Sequence, residues 1–540
     1  MRKKAGIILA VALVICVIAA TLSACTKYDY YERPEEHDYV AGHEFDEGCG
    51  NTNNGYDKES KEVDRLISVV PNERQLNYLE LEYYNFIHFG MNTFTGSEWG
   101  TGDEDPDEFN PEEIDTDQWC EALKASGSKG VIITAKHHDG FCLWQTSTTE
   151  HSVKNSPWMN GRGDVVKMLS ESCEKYGLQM GIYLSPWDMN AESYGDTEAY
   201  NKFYMDQLRE LLSGEYGPDF DGDGKGEIFC VWMDGARGEE VPEDFEYWMD
   251  EWEALIWELQ PDCVAANMGS DVRWVGNEAG IARESEWSVV SEGDAANQQQ
   301  QTSEEDAERL QSVSSEAEDK GSRELLAKYR DLVFYPAETD VSIRKGWFYH
   351  WNQSPKSLDH LMQIYFTSVG GNSSLLLNVT PDKDGLIPNK DVKRLKELGD
   401  AVAETMAVEA QVESISVGYA VNGAETMVEK DALDNLLNDG RDGYTFEDEE
   451  YILDFNLGEP IRVGRIDLRE DLRSSQRVEL FEVWVKDGGG NWVLIGDSTV
   501  IGNRRTLLFE DCPVTSQVRI VIRQSRSVPV LRSVEIFAAQ

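Results

Sequence analysis

The chain has 540 residues, 40% of them hydrophobic, with fifteen tryptophans and a formal net charge of −52. That length predicts two folded units plus a tail, with enough apolar mass for a sizeable core. The acidity excludes DNA and anionic membrane surfaces as partners, because both require basic patches.

The chain opens with "MRKK", a basic stretch, followed by an apolar run that ends in small residues. Leu22 to Cys25, "LSAC", reads as a bacterial lipobox in which Cys25 becomes the lipid-modified N-terminus. Residues 1–25 are then a lipoprotein signal peptide. The alternative is an uncleaved transmembrane anchor, for which the run is just long enough. Either reading puts the folded part outside the cytoplasmic membrane, tied to it only at the N-terminus. Residues 26–65 are acidic and turn-rich, the pattern of a flexible tether.

From residue 66 to 404, short apolar runs such as "NFIHF", "GVIITA", "MGIYL", "CVWM" and "CVAANM" alternate with helix-like stretches. One helix is predicted after Asp164 as N-cap, with Val165, Leu169 and Cys173 at four-residue steps. The alternation predicts an α/β fold, a (β/α)₈ barrel or a doubly wound sheet. No G-x-G-x-x-G or Walker loop opens a helix, which weakens the sheet. The runs end in His88, in Lys136–His137–His138, in Ser185–Pro186–Trp187 and in Asp234, and such polar and aromatic strand ends are how a (β/α)₈-like (TIM) barrel builds its active face. Within this region, residues 291–331 are polar with a helix-forming second half. They form either a surface excursion or a cover over the active face.

Beyond residue 405 the pattern becomes short alternating segments, "YILDFN", "VGRIDLR", "LFEVWVKD", "NWVLIGD", "VRIVIR" and "VEIFA", with turns at "LGEP" and "DGGGN". This predicts a β-sandwich over 405–540. It resembles discoidin-like jelly rolls in "YILDFNLGEPIRVGRIDLRE" and in the final strand. Of the nine cysteines, Cys16 and Cys25 belong to the leader. The other seven are widely spaced with no C-x-x-C pair, which argues against a disulfide framework or zinc site and for small buried apolar residues.

The segment "GVIITAKHHDGFCLW" places two of the chain's eight histidines side by side. Adjacent strand residues point to opposite faces, so His137 and His138 are not expected to chelate one ion together. No H-E-x-x-H or dense ligand cluster accompanies them, so no catalytic metal is expected. Two imidazoles beside Lys136 and Asp139 suit a pocket for a polyhydroxylated ligand, with Trp144 and Trp187 as walls for a sugar ring. Asp234, in "CVWMDGARG", can act as a nucleophile if a second carboxyl group lies opposite; an N-cap or surface aspartate is the alternative. Asp219, Asp221, Asp223 and Gly224 look in part like a calcium loop, but its twelfth position is Cys230 where a bidentate Glu is required. A surface turn is the better reading, with structural calcium as the alternative.

"YYNFIHFGMNTFTGSEWGTGDEDPDEFNP", "WCEALKASGSKGVIITAKHHDGFCLW", "GIYLSPWD", "VWMDGARG", "DVRWVGNEAG" and "ETDVSIRKGWFYHW" follow in order and together resemble the α-L-fucosidases of glycoside hydrolase family 29. "TFTGSEWG" and "SIRKGWFYH" are most similar to the subfamily acting on α-1,3/1,4-linked fucose in Lewis-type glycans. The resemblance implies a retaining exo-α-L-fucosidase that takes a fucosylated glycan and requires no cofactor. It implies Asp234 as nucleophile and Glu278 as general acid/base, with Glu284 and Glu286 as nearby rivals. His88, Glu98, Trp99, His137, His138, Tyr183 and Arg273 match residues that hold the fucose, and Trp347 lies where an aromatic ring meets the C6 methyl. Such a pair needs carboxyl groups roughly 5–5.5 Å apart. Asp234 must be ionised, helped by histidines or Arg273, and Glu278 must start protonated. The alternatives are a broad-specificity fucosidase and, in another class, a non-catalytic glycan-binding surface lipoprotein.

Overall fold

Short apolar runs between polar, helix-forming stretches become strands buried on both faces, as a parallel sheet covered by helices requires. The computed structural model describes residues 61–539 apart from 239–240, 243, 293–318, 422–423, 439, 441–442 and 448–449. The leader with Cys25, the tether up to residue 60 and most of the 291–331 insertion lie outside the described residues.

The first part contains β1 (Tyr83–Ile87), β2 (Gly130–Lys136), β3 (Gln179–Leu184), β4 (Cys230–Met233), β5 (Val264–Asn267), β6 (Arg273–Trp274), β7 (Val289–Ser291), β8 (Leu332–Phe334), β9 (Ala337–Ser342) and β10 (Ser374–Val379). Eight of these make one parallel sheet in the order β5-β4-β3-β2-β1-β10-β9-β6. Ala266 pairs with Val272, and Asn267 N donates to Val272 O at 2.9 Å, so β5 returns against β6 and the ring closes. The barrel forms, and the doubly wound sheet does not.

The outer helices begin where short polar side chains can satisfy free N–H groups. Asp115, Asp164, Asp196 and Ser357 each accept from the backbone N three residues on, capping helices Thr116–Ala125, Val165–Tyr176, Thr197–Leu212 and Leu358–Ser368. Val165, Leu169 and Cys173 are all buried on one helix face. The barrel departs from a regular repeat at β5 and β6, which are joined by five residues with no helix. Asn267 turns there with φ 64°, and a Cβ at Gly269 would overlap the Ala265 backbone.

After β6 the chain forms a loop and returns through β7, which pairs antiparallel with β8. Arg65 Nη2 donates to Leu326 O at 2.8 Å, and Gln75 Nε2 to Phe334 O at 2.9 Å. These bonds set the described ends of the insertion beside helices Lys61–Ile67 and Glu73–Leu79, which lead into the N-terminal end of β1. Those ends therefore lie at the foot of the barrel, near the N-terminal end of β1.

The sandwich consists of β11 (Val412–Val421), β12 (Ala424–Glu429), β13 (Tyr444–Thr445), β14 (Ile452–Glu470), β15 (Val478–Lys486), β16 (Trp492–Ser498), β17 (Arg505–Leu508), β18 (Val514–Ser525) and β19 (Val530–Ala538). The predicted turn at "LGEP" does not form. β14 runs straight through it, with a register shift against β18 between Asn456 and Ile461. Its first half pairs with β11 and β18, its second with β17 and β19, so one strand stitches both sheets around a core that includes Phe455, Ile466, Phe481 and Ile520. Cys120, Cys142, Cys173, Cys230, Cys263 and Cys512 are free and buried. Among the described residues, no helix is long and apolar enough to cross a membrane.

Candidate active site

Because the barrel strands are parallel, the residues just past their C-terminal ends gather at one rim. His88 follows β1, His137 and His138 follow β2, Ser185 and Trp187 follow β3, and Asp234 follows β4. β2 stops at Lys136, so the period-two alternation expected of His137 and His138 no longer applies. Their ring centroids lie 4.1 Å apart, and both rings meet the pocket aromatics: His137 stacks on Tyr183, and His138 packs against Trp99 and Trp187. Lys136 points the other way, bonding Asp188 Oδ2 at 2.9 Å and Gln207 Oε1 at 3.0 Å.

Hydrogen bonds assign the protons on the three histidines. The Asn378 amide donates to Ser342 Oγ and to Trp347 O, so its Oδ1 accepts from His88 Nδ1–H at 2.9 Å. The Ser185 hydroxyl donates to Trp187 O and therefore accepts from His138 Nδ1–H at 2.7 Å. Asn92 Nδ2 donates to Asp139 Oδ2 at 2.9 Å and to His137 Nδ1 at 3.3 Å. His88 and His138 thus keep Nε2 as an acceptor, while His137 keeps Nε2–H as a donor. Burial lowers the pKa of all three, that of His88 to about 3, which keeps the rings neutral. The result is an acceptor–donor–acceptor set of Nε2 atoms, a pattern that can meet vicinal hydroxyl groups.

Asp234 is held from two sides. Tyr183 Oη donates to its Oδ2 at 3.0 Å, and Ala236 N donates to its Oδ1 at 2.8 Å. His138 Nε2 lies 3.8 Å from the same Oδ2. Tyr183 is itself clamped between the His137 ring (5.5 Å, 9°) and the Trp232 ring (5.3 Å, 15°). Glu278 sits four residues beyond β6, exposed as a residue although its carboxyl group is desolvated. Desolvation there, opposed by a hydrogen bond with Trp347 and reinforced by the charges of Asp234 and Glu98, raises its pKa to about 7. The surroundings thus hold one carboxyl group among donors and favour the acid form of its neighbour.

Trp99 and Trp187 meet edge to face at 5.3 Å, and both pack on His138. Trp347 leans on His88 at 5.2 Å. Glu98 Oε2 accepts from Trp347 N at 2.8 Å and its Oε1 meets His350 Nε2 at 2.5 Å, so it fastens the 346–350 loop to the pocket. Trp144 is not a wall: it is buried in the barrel core with its Nε1 on Glu210. Arg273 does not reach the pocket either. It points out of the barrel, its guanidinium bonding Glu286, Tyr335 O and Trp287 O. Glu286 is fully buried between Arg273 and Arg283; although burial alone would raise its pKa, these two charges lower it, which removes it as a proton donor. Glu284 is exposed, its carbonyl bound by the sandwich.

Several supporting residues escaped the sequence reading: Asn92, Asn378, Glu338 and Asp340. The last two lie in "AETDVS", a strand buried at every position, where Glu338, Asp340 and Ser342 alternate. Polar residues at period two in a fully buried strand are the signal that marks them. Asp340 Oδ1 accepts from Trp274 Nε1 at 2.7 Å, and burial followed by the charge of Glu278 raises its pKa. Among the described residues, Asp219, Asp221 and Asp223 are the one acidic group close enough to share an ion, and each already accepts backbone N–H bonds within its own turn.

A family model described as α-L-fucosidase matches residues 69–405. α-L-Fucosidase 1 of Arabidopsis thaliana is 37% identical over 474 residues, covering 86% of this chain and 87% of that protein. A solved structure from Bacteroides ovatus shares 41% identity at a TM-score of 0.75, covering 89% of this chain and 76% of that one. A Ruminococcus gnavus GH29 fucosidase solved with fucose matches at 29% identity and a TM-score of 0.73, over 87% of this chain and 95% of that one. An aspartate-to-alanine variant of that enzyme was also solved with fucose. With an eight-stranded parallel barrel, a family match over residues 69–405 and a relative 37% identical along most of both chains, this chain belongs to the α-L-fucosidases of glycoside hydrolase family 29.

Proposed function

We propose that this chain is a retaining exo-α-L-fucosidase that removes terminal α-1,3/1,4-linked L-fucose from Lewis-type oligosaccharides or glycoconjugates. Asp234 is the nucleophile and Glu278 the general acid/base. The observation that carries this reading is the unlike carboxyl pair: Asp234 bound by Tyr183 and Ala236 N, and Glu278 raised to about 7 beside it.

In the first step an Asp234 oxygen attacks the anomeric carbon while Glu278 gives its proton to the departing glycosidic oxygen. Bonding to the sugar removes the Asp234 charge, which is one cause of the raised Glu278 pKa. Glu278 then becomes the stronger acid, suited as a carboxylate to take a proton from the water that releases fucose. His88, His137 and His138 hold the ring hydroxyls, Trp347 lies against the methyl side, and Trp99 and Trp187 close the wall.

The linkage reading is supported by the way "TFTGSEWG" and "SIRKGWFYH" come together through Glu98 at the rim. One residue past His350, Trp351 is 86% exposed on a turn anchored by Arg344, which donates to His350 O and Gln353 O. A rigidly presented aromatic beside the mouth suits the apolar face of a second sugar. In this reading the enzyme works outside the cytoplasmic membrane, anchored by a lipid on Cys25, as residues 1–25 suggest.

Proton NMR of the first-formed fucose tests the mechanism: the α anomer is expected, and the β anomer appearing first would overturn retention. Asp234→Ala should lower kcat by on the order of 10⁴-fold. Fucose release from Lewis trisaccharides should exceed release from 2′-fucosyllactose; release from an aryl fucoside alone would sink the glycan assignment.

A further inference from the structure

We infer that the C-terminal sandwich positions the acid/base: Thr499, Arg505 and Gln476 hold the far end of the loop that presents Glu278. This rests on the reading of Glu278 as acid/base.

The loop leaves β6 with Val275 N donating to Glu338 O at 2.8 Å. It then wraps on itself, Asn277 Nδ2 donating to Ile281 O and Ala279 N to Asn277 Oδ1, both at 3.0 Å. Gly280 turns at φ 76°, where a Cβ would press within 2.8 Å of Ile364 and 2.9 Å of Val341. Arg273 closes the base by bonding Glu286 and Trp287 O.

The returning arm is held largely by the other domain. Thr499 Oγ1 and Arg505 Nη2 both donate to Glu284 O, at 2.9 and 3.0 Å. Gln476 Nε2 donates to Glu286 O at 3.2 Å, and its Oε1 accepts from Ser288 N at 2.8 Å. The Arg526 guanidinium lies 3.5 Å from the centre of the Trp287 ring. Arg505 is tied to its own domain by Nε on Val500 O at 2.7 Å, and Asn372 joins the parts by donating to Glu286 O and accepting from Asn503 N. A loop between two strands of one domain would normally be set by that domain. Here the sandwich supplies side-chain donors to the carbonyls six and eight residues past Glu278, so its docking sets where the proton donor stands. Displacing a catalytic group by about 1 Å can cost on the order of 10²-fold in rate.

The test exploits leaving-group chemistry. A fucoside with a good aryl leaving group departs without protonation, whereas a sugar leaving group needs the acid. Thr499→Val and Arg505→Met should each lower kcat/KM on a fucosylated trisaccharide, Arg505→Met by about 10-fold or more. On 2-chloro-4-nitrophenyl fucoside, kcat/KM should hold within about 2-fold while kcat and KM fall together, because general-base release of fucose becomes limiting. Equal losses of kcat/KM on both substrates in soluble, folded variants would overturn the proposal, as would no loss on either. Thr499→Val removes one hydroxyl and keeps the question answerable if Arg505→Met does not fold. Glu278→Ala is the control: if it lacks the leaving-group dependence, the acid/base reading fails, whatever the sandwich variants do.

Discussion

Desolvation of its carboxyl group, together with the charge of Asp234, pushes the pKa of Glu278 up to about 7, because both causes disfavour its charge. The acid form is the one needed for bond cleavage. On an unactivated fucoside, the alkaline limb of kcat/KM should therefore bend near pH 7 and fall about tenfold per unit above it. Replacing Asp234 with Asn removes a raising charge, so the Glu278 pKa should fall in that variant, as read by carbon NMR titration of a labelled glutamate. An unmoved pKa would mean the two groups do not sense each other. At this scale, sequence reading placed the strand-end residues well and those beyond or behind them poorly. His88, His137, His138 and Asp234 follow apolar runs whose ends are visible. Lys136, Trp144 and Arg273 sit in the same motifs, but which way a side chain turns depends on where the strand stops and what packs behind it.

Strand β9 shows how an element can serve the site from underneath. Glu338 is fully buried and accepts from Tyr84 Oη, from Tyr78 Oη at 3.1 Å and from Trp232 Nε1 at 2.6 Å. Trp232 carries Tyr183 on its face, and Tyr183 holds Asp234. Glu338→Gln would set an amide N–H₂ against a group of donors, leaving at least one buried partner unmet at a cost of about 1–3 kcal/mol. Chemical denaturation should show that loss, and kcat should fall with it as the Trp232–Tyr183 platform shifts; unchanged kcat would separate the network from the nucleophile. Elements of this kind were only partly legible. The long apolar runs announced β1 to β5, but β6 is two residues long and could not be read as a strand. The "LGEP" segment signalled a turn, yet β14 continues through Pro460, paired at Leu457 with Val412 before it and at Ile461 with Thr515 after it.

The two domains are joined by buried charge as well as by loop contacts. Glu82, turned at φ 55° just before β1, receives Arg469 at 2.6 Å and Arg504 at 2.8 Å from the sandwich. Burial alone would raise its pKa, but the two guanidinium groups outweigh it and hold the group at about 2 instead of 4.5. Neither partner is near Glu82 in sequence, so nothing in the chain's local pattern announced this pairing; only the docked domains create it. A carboxylate with a depressed folded-state pKa stabilises the fold above its unfolded value, and that contribution is lost as pH falls through the folded value. Its share should thus be complete above about pH 4.5 and gone near pH 2. Glu82→Gln removes the charge while leaving Arg469 and Arg504 buried, so at pH 7 the variant should lose about 3–5 kcal/mol. The gap between wild type and variant, measured by urea denaturation at pH 7, 4 and 3, should narrow at each step below 4.5. A gap independent of pH would mean that shape, not charge, joins the domains. Because the same docking holds the loop of Glu278, Glu82→Gln should also weaken cleavage of sugar-linked fucose more than cleavage of an activated aryl fucoside.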